Sequence, residues 1–287
     1  MKILLAKEMG FCWGVRRAIS MMEKAASERG PVISLGPIVH NPQVVAALAE
    51  KGVQVTSSID GVSGVPLAIA AHGVGPKVLE EAKAKGLEII DTTCPIVTRS
   101  QRWAKKMAEG EFTVIVYGDA DHREVKGVLS WAQGKGIALT EETLDSLPQE
   151  LSSRVAIIPQ TTQSPTRFAA FIGRLLRERL AQISELQVVN TLCNVTASQQ
   201  AAARDLAQKV ELVLVIGGHN SANSRHLAEA CREAGVETHH IETAAELETQ
   251  WLTGRERVGI TAGASTPDWA VEEVVRCVRK LAQDEDG

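Results

Sequence analysis

Short apolar, β-branched runs recur along this chain, each closed by a glycine: Val32-Ile-Ser-Leu-Gly36, Val114-Ile-Val-Tyr-Gly118 and Val213-Leu-Val-Ile-Gly217. Runs of this length, bounded by turn residues, predict buried strands rather than helices. Each is followed by a polar loop and then by a segment of helical spacing, at Gln43 to Lys51, Glu124 to Gln133 and Ser224 to Ala234. A glycine comes next in each case, Gly52, Gly136 or Gly235, and then another apolar strand. The same alternation predicts strands at Lys2 to Ala6, Leu87 to Ile90, Arg154 to Ile158 and Val258 to Thr261. It predicts helices up to about Arg29, over Lys77 to Lys85 and over Thr166 to Leu180. Strands and helices alternating in this way place the chain in the α/β class, with mainly parallel sheets.

Three cysteines set the phase of the repeat. Cys12, Cys94 and Cys193 each stand 24 residues before one of the three glycines and 28 before His40, His122 or Ser221. Fixed offsets of this kind mark an internal repeat. They predict three similar α/β units, over residues 1–94, 95–190 and 191–287, in a pseudo-threefold arrangement that lets the cysteines meet at one centre. The polar stretch Glu141 to Ser153 is expected to be an irregular surface connection, and the acidic tail from Gln283 to Gly287 to fray.

Composition narrows the possibilities. The 287 residues, 44% apolar and 23% charged, suffice for a large core. The N-terminus has too few apolar residues before its next charge for a signal peptide, and no run approaches a membrane span, so a cytoplasmic protein is expected. A formal charge of −4 with interspersed signs offers no basic stripe, which argues against nucleic acid. The five cysteines contain no C-x-x-C pair and are odd in number, against both a disulfide framework and a zinc ribbon. Cys231 and Cys277 sit at helical spacing from leucines and are expected on buried helix faces.

The other three lie on strand-end loops, where α/β proteins keep their chemistry. They suit core burial, a three-ligand zinc site, or a 4Fe–4S cluster with one iron left open. His40, His72, Ser221, Asn223 and Ser265 also stand at strand ends that open helices, so side-chain donors and unpaired backbone N–H groups there can face an anion. Phosphate or diphosphate suits that arrangement, although Ser221, Asn223 and Ser265 are equally plain helix caps. Glu124 is the carboxylate placed to act as proton donor, or else to interact with its helix dipole.

Taken together, Gly-Phe-Cys12-Trp-Gly-Val, Val-His40-Asn, Ala-His72-Gly-Val, Asp-Thr-Thr-Cys94-Pro, His122-Arg-Glu124-Val, Gln160-Thr161-Thr162, Thr-Leu-Cys193-Asn-Val-Thr, Asn220-Ser221-Ala222-Asn223-Ser and Thr-Ala-Gly-Ala-Ser265 resemble the LytB/IspH family of 4-hydroxy-3-methylbut-2-enyl diphosphate reductases. The resemblance spans essentially the whole chain. It implies an iron–sulfur oxidoreductase of the non-mevalonate (MEP) route of isoprene biosynthesis, three-lobed, with a central 4Fe–4S cluster on Cys12, Cys94 and Cys193 and one open iron for the substrate hydroxyl. It further implies Glu124 and Thr161 as catalytic residues beside that hydroxyl, and His40, His72, His122, Ser221, Asn223 and Ser265 around the diphosphate. A ferredoxin or flavodoxin would supply two electrons, and isopentenyl and dimethylallyl diphosphate would be the products. Three positions depart from the family pattern: Arg123 for proline, Ala222 for serine and Pro159 for threonine. Rival readings are a redox-neutral iron–sulfur dehydratase or a paralogous reductase on another small anionic substrate, an iron–sulfur carrier, and a zinc protein.

Overall fold

The structure, a computed structural model, describes residues 1–148 and 152–284. In chain order the elements are β1 (Lys2–Leu5), α1 (Trp13–Arg29), β2 (Val32–Leu35), α2 (Pro42–Glu50), β3 (Val53–Thr56), β4 (Leu67–Ile69), α3 (Pro76–Ala84) and β5 (Ile89–Asp91). There follow α4 (Pro95–Glu109), β6 (Thr113–Tyr117), α5 (Arg123–Trp131), β7 (Gly136–Leu139), β8 (Arg154–Pro159), α6 (Pro165–Arg179) and β9 (Glu185–Val188). The last group is α7 (Asn194–Ala207), β10 (Leu212–Ile216), α8 (Ala222–Glu233), β11 (Glu237–Ile241), α9 (Thr249–Leu252), β12 (Arg257–Ala262) and α10 (Asp268–Asp284).

The chain divides into two compact units. One comprises Met1–Arg16, Val39–Ala47 and Asn194–Gly287, and the other Arg17–Ile38 and Leu48–Cys193. The first holds a four-stranded sheet of order β1-β12-β10-β11. The second holds two, of orders β3-β2-β4-β5 and β7-β6-β8-β9. Every pairing in all three is parallel. The three have one topology: β2, β6 and β10 are equivalent, as are β4, β8 and β12, and the outer strand beside the latter is β5, β9 or β1.

That equivalence draws a boundary the chain order conceals. Each cysteine follows an outer strand, so β5 precedes Cys94, β9 precedes Cys193 and β1 precedes Cys12. An outer strand belongs to the sheet behind it, while the helix after the cysteine leads forward to the next sheet. The outer strand β1 completes the last sheet, pairing Lys2 with Arg257 through Leu5 with Ile260. The division at residues 94 and 190 groups β1 with β2 to β5; the hydrogen-bonded pairing groups it with β10 to β12.

Strands buried on both faces explain the unbroken apolar runs, since helices cover a parallel sheet on both sides. All five residues of β10 are buried. In the sheet of β6 to β9, Val114, Val116, Ala156 and Ile158 pack beneath α4 and α5, and Ile115, Tyr117, Val155 and Ile157 face Phe168, Phe171 and Leu175 of α6. Proline at the first position starts α2, α3, α4 and α6, where the missing N–H would be unpaired anyway. After α5 the left-handed turn falls at Gln133 (φ 53°) and Gly134 (φ 81°), and Gly136 already belongs to β7.

The stretch Glu141 to Ser153 is less loose than its polarity suggests. Leu144–Ser146 forms a 3-10 turn, and Leu144 and Leu147 are buried against the α6 side of its sheet; residues 149–151 of that stretch lie outside the described residues. The expected fray of the tail likewise falls at 285–287, outside them. Cys231 is fully buried, whereas Cys277 is half-buried because its stripe of α10 lies at the edge of the packed face. No helix among the described residues is long and apolar enough to cross a membrane.

Candidate active site

The three repeat cysteines share one backbone setting. Each immediately precedes a helix, and each donates its own N–H to the loop after the neighbouring strand: Cys12 to the Ala264 carbonyl (3.1 Å), Cys94 to Ala71 (2.9 Å) and Cys193 to Thr161 (2.8 Å). A thiol at a helix N-terminus faces unpaired N–H groups that favour the thiolate. The Val15 N–H reaches the Cys12 sulfur at 3.3 Å, and the N–H groups of Ile96 and Val97 act in the same way on Cys94. Burial opposes them and pushes the Cys94 thiol up, helped by the nearby charges of Cys193 and Glu124. Cys94, Cys193 and Glu124 thus form one electrostatic neighbourhood within their unit. Among the described residues no disulfide joins any of the cysteines. Nor do three His, Cys, Asp or Glu side chains among those residues converge on a point for a single ion.

The loop after β6 delivers the acid. At its start the Gln160 side chain lies so close that a Cβ on Gly118 would meet it at 2.6 Å, and Gln160 Oε1 accepts the Asp119 N–H (3.2 Å). His122 caps α5, its Nδ1 accepting the Glu124 N–H at 3.2 Å, so the neutral ring carries its proton on Nε2. Glu124 is 4% exposed. Its Oε1 accepts the Thr161 N–H at 2.7 Å and its Oε2 the Thr161 hydroxyl at 2.9 Å. Burial dominates and raises the Glu124 pKa, while the two Thr161 bonds pull the other way. A carboxyl in this state keeps its proton to a higher pH than an exposed one does.

The same unit contains His72, buried after β4, on a loop pinned by Trp131 Nε1 to the Val74 carbonyl (3.0 Å) and Gln101 Nε2 to the same oxygen (3.3 Å). Arg123 is exposed, its guanidinium lying against Gly36, whose left-handed φ of 79° disfavours any side chain there. Pro159 ends β8, and its carbonyl accepts the Thr191 hydroxyl at 3.0 Å.

The other unit gathers Cys12, His40, Ser221, Asn223 and Ser265. Gly218 passes so near His40 that a Cβ there would stand 2.5 Å from the His40 carbonyl oxygen, the same oxygen to which Ser265 Oγ donates at 3.4 Å. Ser221 caps α8, accepting the Ser224 N–H at 3.3 Å and retaining its own O–H for a further acceptor. Asn223 gives Nδ2 to Gln199 Oε1 (3.2 Å), and Gln199 in turn gives Nε2 to the Gly10 carbonyl (2.9 Å), two residues before Cys12. The Asn223 Oδ1 is buried with no hydrogen-bond partner. An amide oxygen left orphaned in this way costs about 1–3 kcal/mol. Ala222 is buried at the first position of α8.

Sequence reading missed Gln199, and took Gln160 and Thr162 only as letters of the Gln160-Thr161-Thr162 motif without a role. Thr162 follows the carbonyl that takes the Cys193 N–H, as His72 follows that for Cys94 and Ser265 that for Cys12. The offsets from the cysteines differ among these three, so only the hydrogen-bond pattern shows the equivalence. Gln199 carries no signal in the sequence, because its work is to reach back to a loop distant along the chain.

The chain matches the family model described as LytB protein over residues 3–279. It is 50% identical over 283 residues to the Dehalococcoides mccartyi protein named 4-hydroxy-3-methylbut-2-enyl diphosphate reductase, covering 98% of this chain and 99% of that one. The Geobacter sulfurreducens protein of the same name is 42% identical over 288 residues, with 100% of each chain covered. A solved structure described as (E)-4-hydroxy-3-methyl-but-2-enyl diphosphate reductase, the terminal enzyme of the non-mevalonate pathway, matches with a TM-score of 0.69 at 37% identity, over 98% of this chain and 100% of its own. The Plasmodium falciparum E-1-hydroxy-2-methyl-but-2-enyl-4-diphosphate reductase matches with a TM-score of 0.89 at 27% identity, over 96% of this chain and 86% of its own. With nearly its whole length inside the family model and half its residues shared with a full-length relative, this chain belongs to the LytB family.

Proposed function

We propose that this protein reductively removes the allylic hydroxyl of 4-hydroxy-3-methylbut-2-enyl diphosphate, taking up two electrons and two protons and releasing water with isopentenyl or dimethylallyl diphosphate. The observation that carries the reading is the Glu124 carboxyl, buried, raised in pKa and clasped by both the N–H and the hydroxyl of Thr161. Full-length relatives bearing the reductase name support it.

The donor set fits an iron–sulfur cluster. Three thiols occupy equivalent helix-start positions, backbone N–H groups point at the Cys12 and Cys94 sulfurs, and no fourth cysteine shares the setting. A four-iron cube bound in this way has one iron without a protein ligand, and it supplies Lewis acidity and electrons when bound. Cys12, Cys94 and Cys193 would hold it. Protonated Glu124 donates from Oε2 to Thr161 Oγ1, which frees the threonine hydrogen for the departing hydroxyl. The hydroxyl of Ser221, the caps and amides around Asn223 and Ser265, and the imidazoles of His40, His72 and His122 bind and orient the diphosphate. Electrons come from a protein carrier of the ferredoxin or flavodoxin class.

The test is anaerobic turnover of the diphosphate with reduced methyl viologen. Oxidation of the dye should accompany product at two electrons per molecule, and Glu124→Gln should keep its iron and sulfide while losing most turnover. Product formed with no reductant consumed would replace this reading with a redox-neutral dehydratase.

A further inference from the structure

Helix α4 begins at Cys94 and turns a cationic face to solvent. Pro95, Arg99, Arg102, Trp103 and Lys106 line one shallow groove along it. The spacing of three, one and three residues from Arg99 keeps the cations on a single stripe around the half-buried indole. Lys106 Nζ sits 4.7 Å over the Trp103 ring. Arg99, Arg102, Lys105 and Lys106 are all exposed.

Nearby acids do not neutralise this stripe. Glu109 meets only Lys105, at 3.8 Å. Asp91, beside Arg102 and Lys105, is occupied by the Thr93 N–H (2.9 Å) and hydroxyl (2.5 Å). Elsewhere in this unit, cations close on carboxylates, as in Lys51 with Glu23, Lys126 with Asp121, Lys135 with Glu111 and Arg154 with Glu185. Arg99 and Arg102 have no such partner among the described residues.

We propose that this face of α4 is the docking surface for an acidic one-electron carrier protein, a step that rests on the reductase reading above. Charge complementarity and position argue for it together. The rise of an α-helix puts Arg99 and Arg102 about 8–12 Å along the axis from Cys94, so a carrier held there stands close to the thiol end of the helix. The chain's net charge of −4 would repel an acidic partner at long range. At physiological ionic strength that repulsion is screened beyond about 8 Å, and the local stripe decides where contact is made. An indole among arginines is also the composition of an interface anchor.

The test uses the iron–sulfur-loaded protein with an acidic [2Fe–2S] ferredoxin as probe, binding being measured by calorimetry at low and high salt. The double variant Arg99→Glu/Arg102→Glu should weaken binding by at least about tenfold at low salt and flatten the salt dependence. Arg279→Glu, on the exposed basic side of α10, should leave it unchanged. Turnover driven by reduced methyl viologen should be the same in the double variant and the wild type, with only the KM for ferredoxin rising. Wild-type affinity in the double variant, equal weakening by Arg279→Glu, or no binding to the wild type would each overturn the proposal. Absence of methyl viologen turnover in the wild type would instead count against the reductase reading, with the calorimetry still deciding the docking surface.

Discussion

The loops after β6 and β10 begin at the same topological point and diverge in chemistry. Each starts at a glycine, Gly118 or Gly217, and ends four residues later on the cap of a helix, His122 or Ser221. Two residues further on, both carry a buried polar side chain, Glu124 at 4% and Asn223 at 5% exposure. The difference lies in what the following strand supplies. The loop after β8 offers Thr161, whose N–H and hydroxyl satisfy a carboxyl. Asn223 meets a glutamine amide and keeps an orphaned oxygen. One repeat therefore satisfies both oxygens of a buried carboxyl, and its sibling leaves one neutral amide oxygen unpaired.

The largest effects should come from the cysteines common to the repeats. Cys94→Ser or Cys193→Ser should abolish turnover and iron and sulfide content together, as read by metal analysis. Retention of a full cluster would break the equivalence. Next, Glu124→Gln should lower kcat by about 10²–10⁴-fold with the cluster kept, since proton transfer by a positioned group is worth that much. The reverse exchange, Asn223→Asp, should raise the KM for the diphosphate by about a hundredfold, two charges of like sign being set together where no Thr161 clasps the acid. An unchanged KM would place the diphosphate elsewhere. Ser265→Ala should raise KM by only about five- to tenfold, the value of one hydrogen bond.

The smallest effect sharpens the comparison through pH. The Glu124 pKa is raised above its ordinary 4.5, chiefly by burial. A folded carboxyl with a raised pKa contributes stability that is present below the ordinary value and lost as pH rises through the raised one. Wild-type Tm should therefore decline over that window relative to Glu124→Gln, and kcat should fall on the same limb as the acid deprotonates. Equal pH profiles in the two proteins would remove Glu124 from the proton path.

Spacing alone settled the α/β class, the threefold repeat, and the three cysteines and their loops, because the strand and helix periods and a fixed 24-residue offset are local properties of the chain. The departures Arg123, Ala222 and Pro159 were equally legible as letters, but their surroundings were not; that Arg123 lies over Gly36 is a contact between distant segments. Tertiary structure decided that β1 completes the sheet of β10 to β12, since strand pairing joins the ends of the chain and leaves no local trace. It likewise decided that Glu124 is held by Thr161, 37 residues away, and Asn223 by Gln199, 24 residues away. The residues that can do chemistry are set by their type and by the turns that carry them. The state in which each is held, charged or neutral, is set by burial and partners, and these exist only once the sheets have formed.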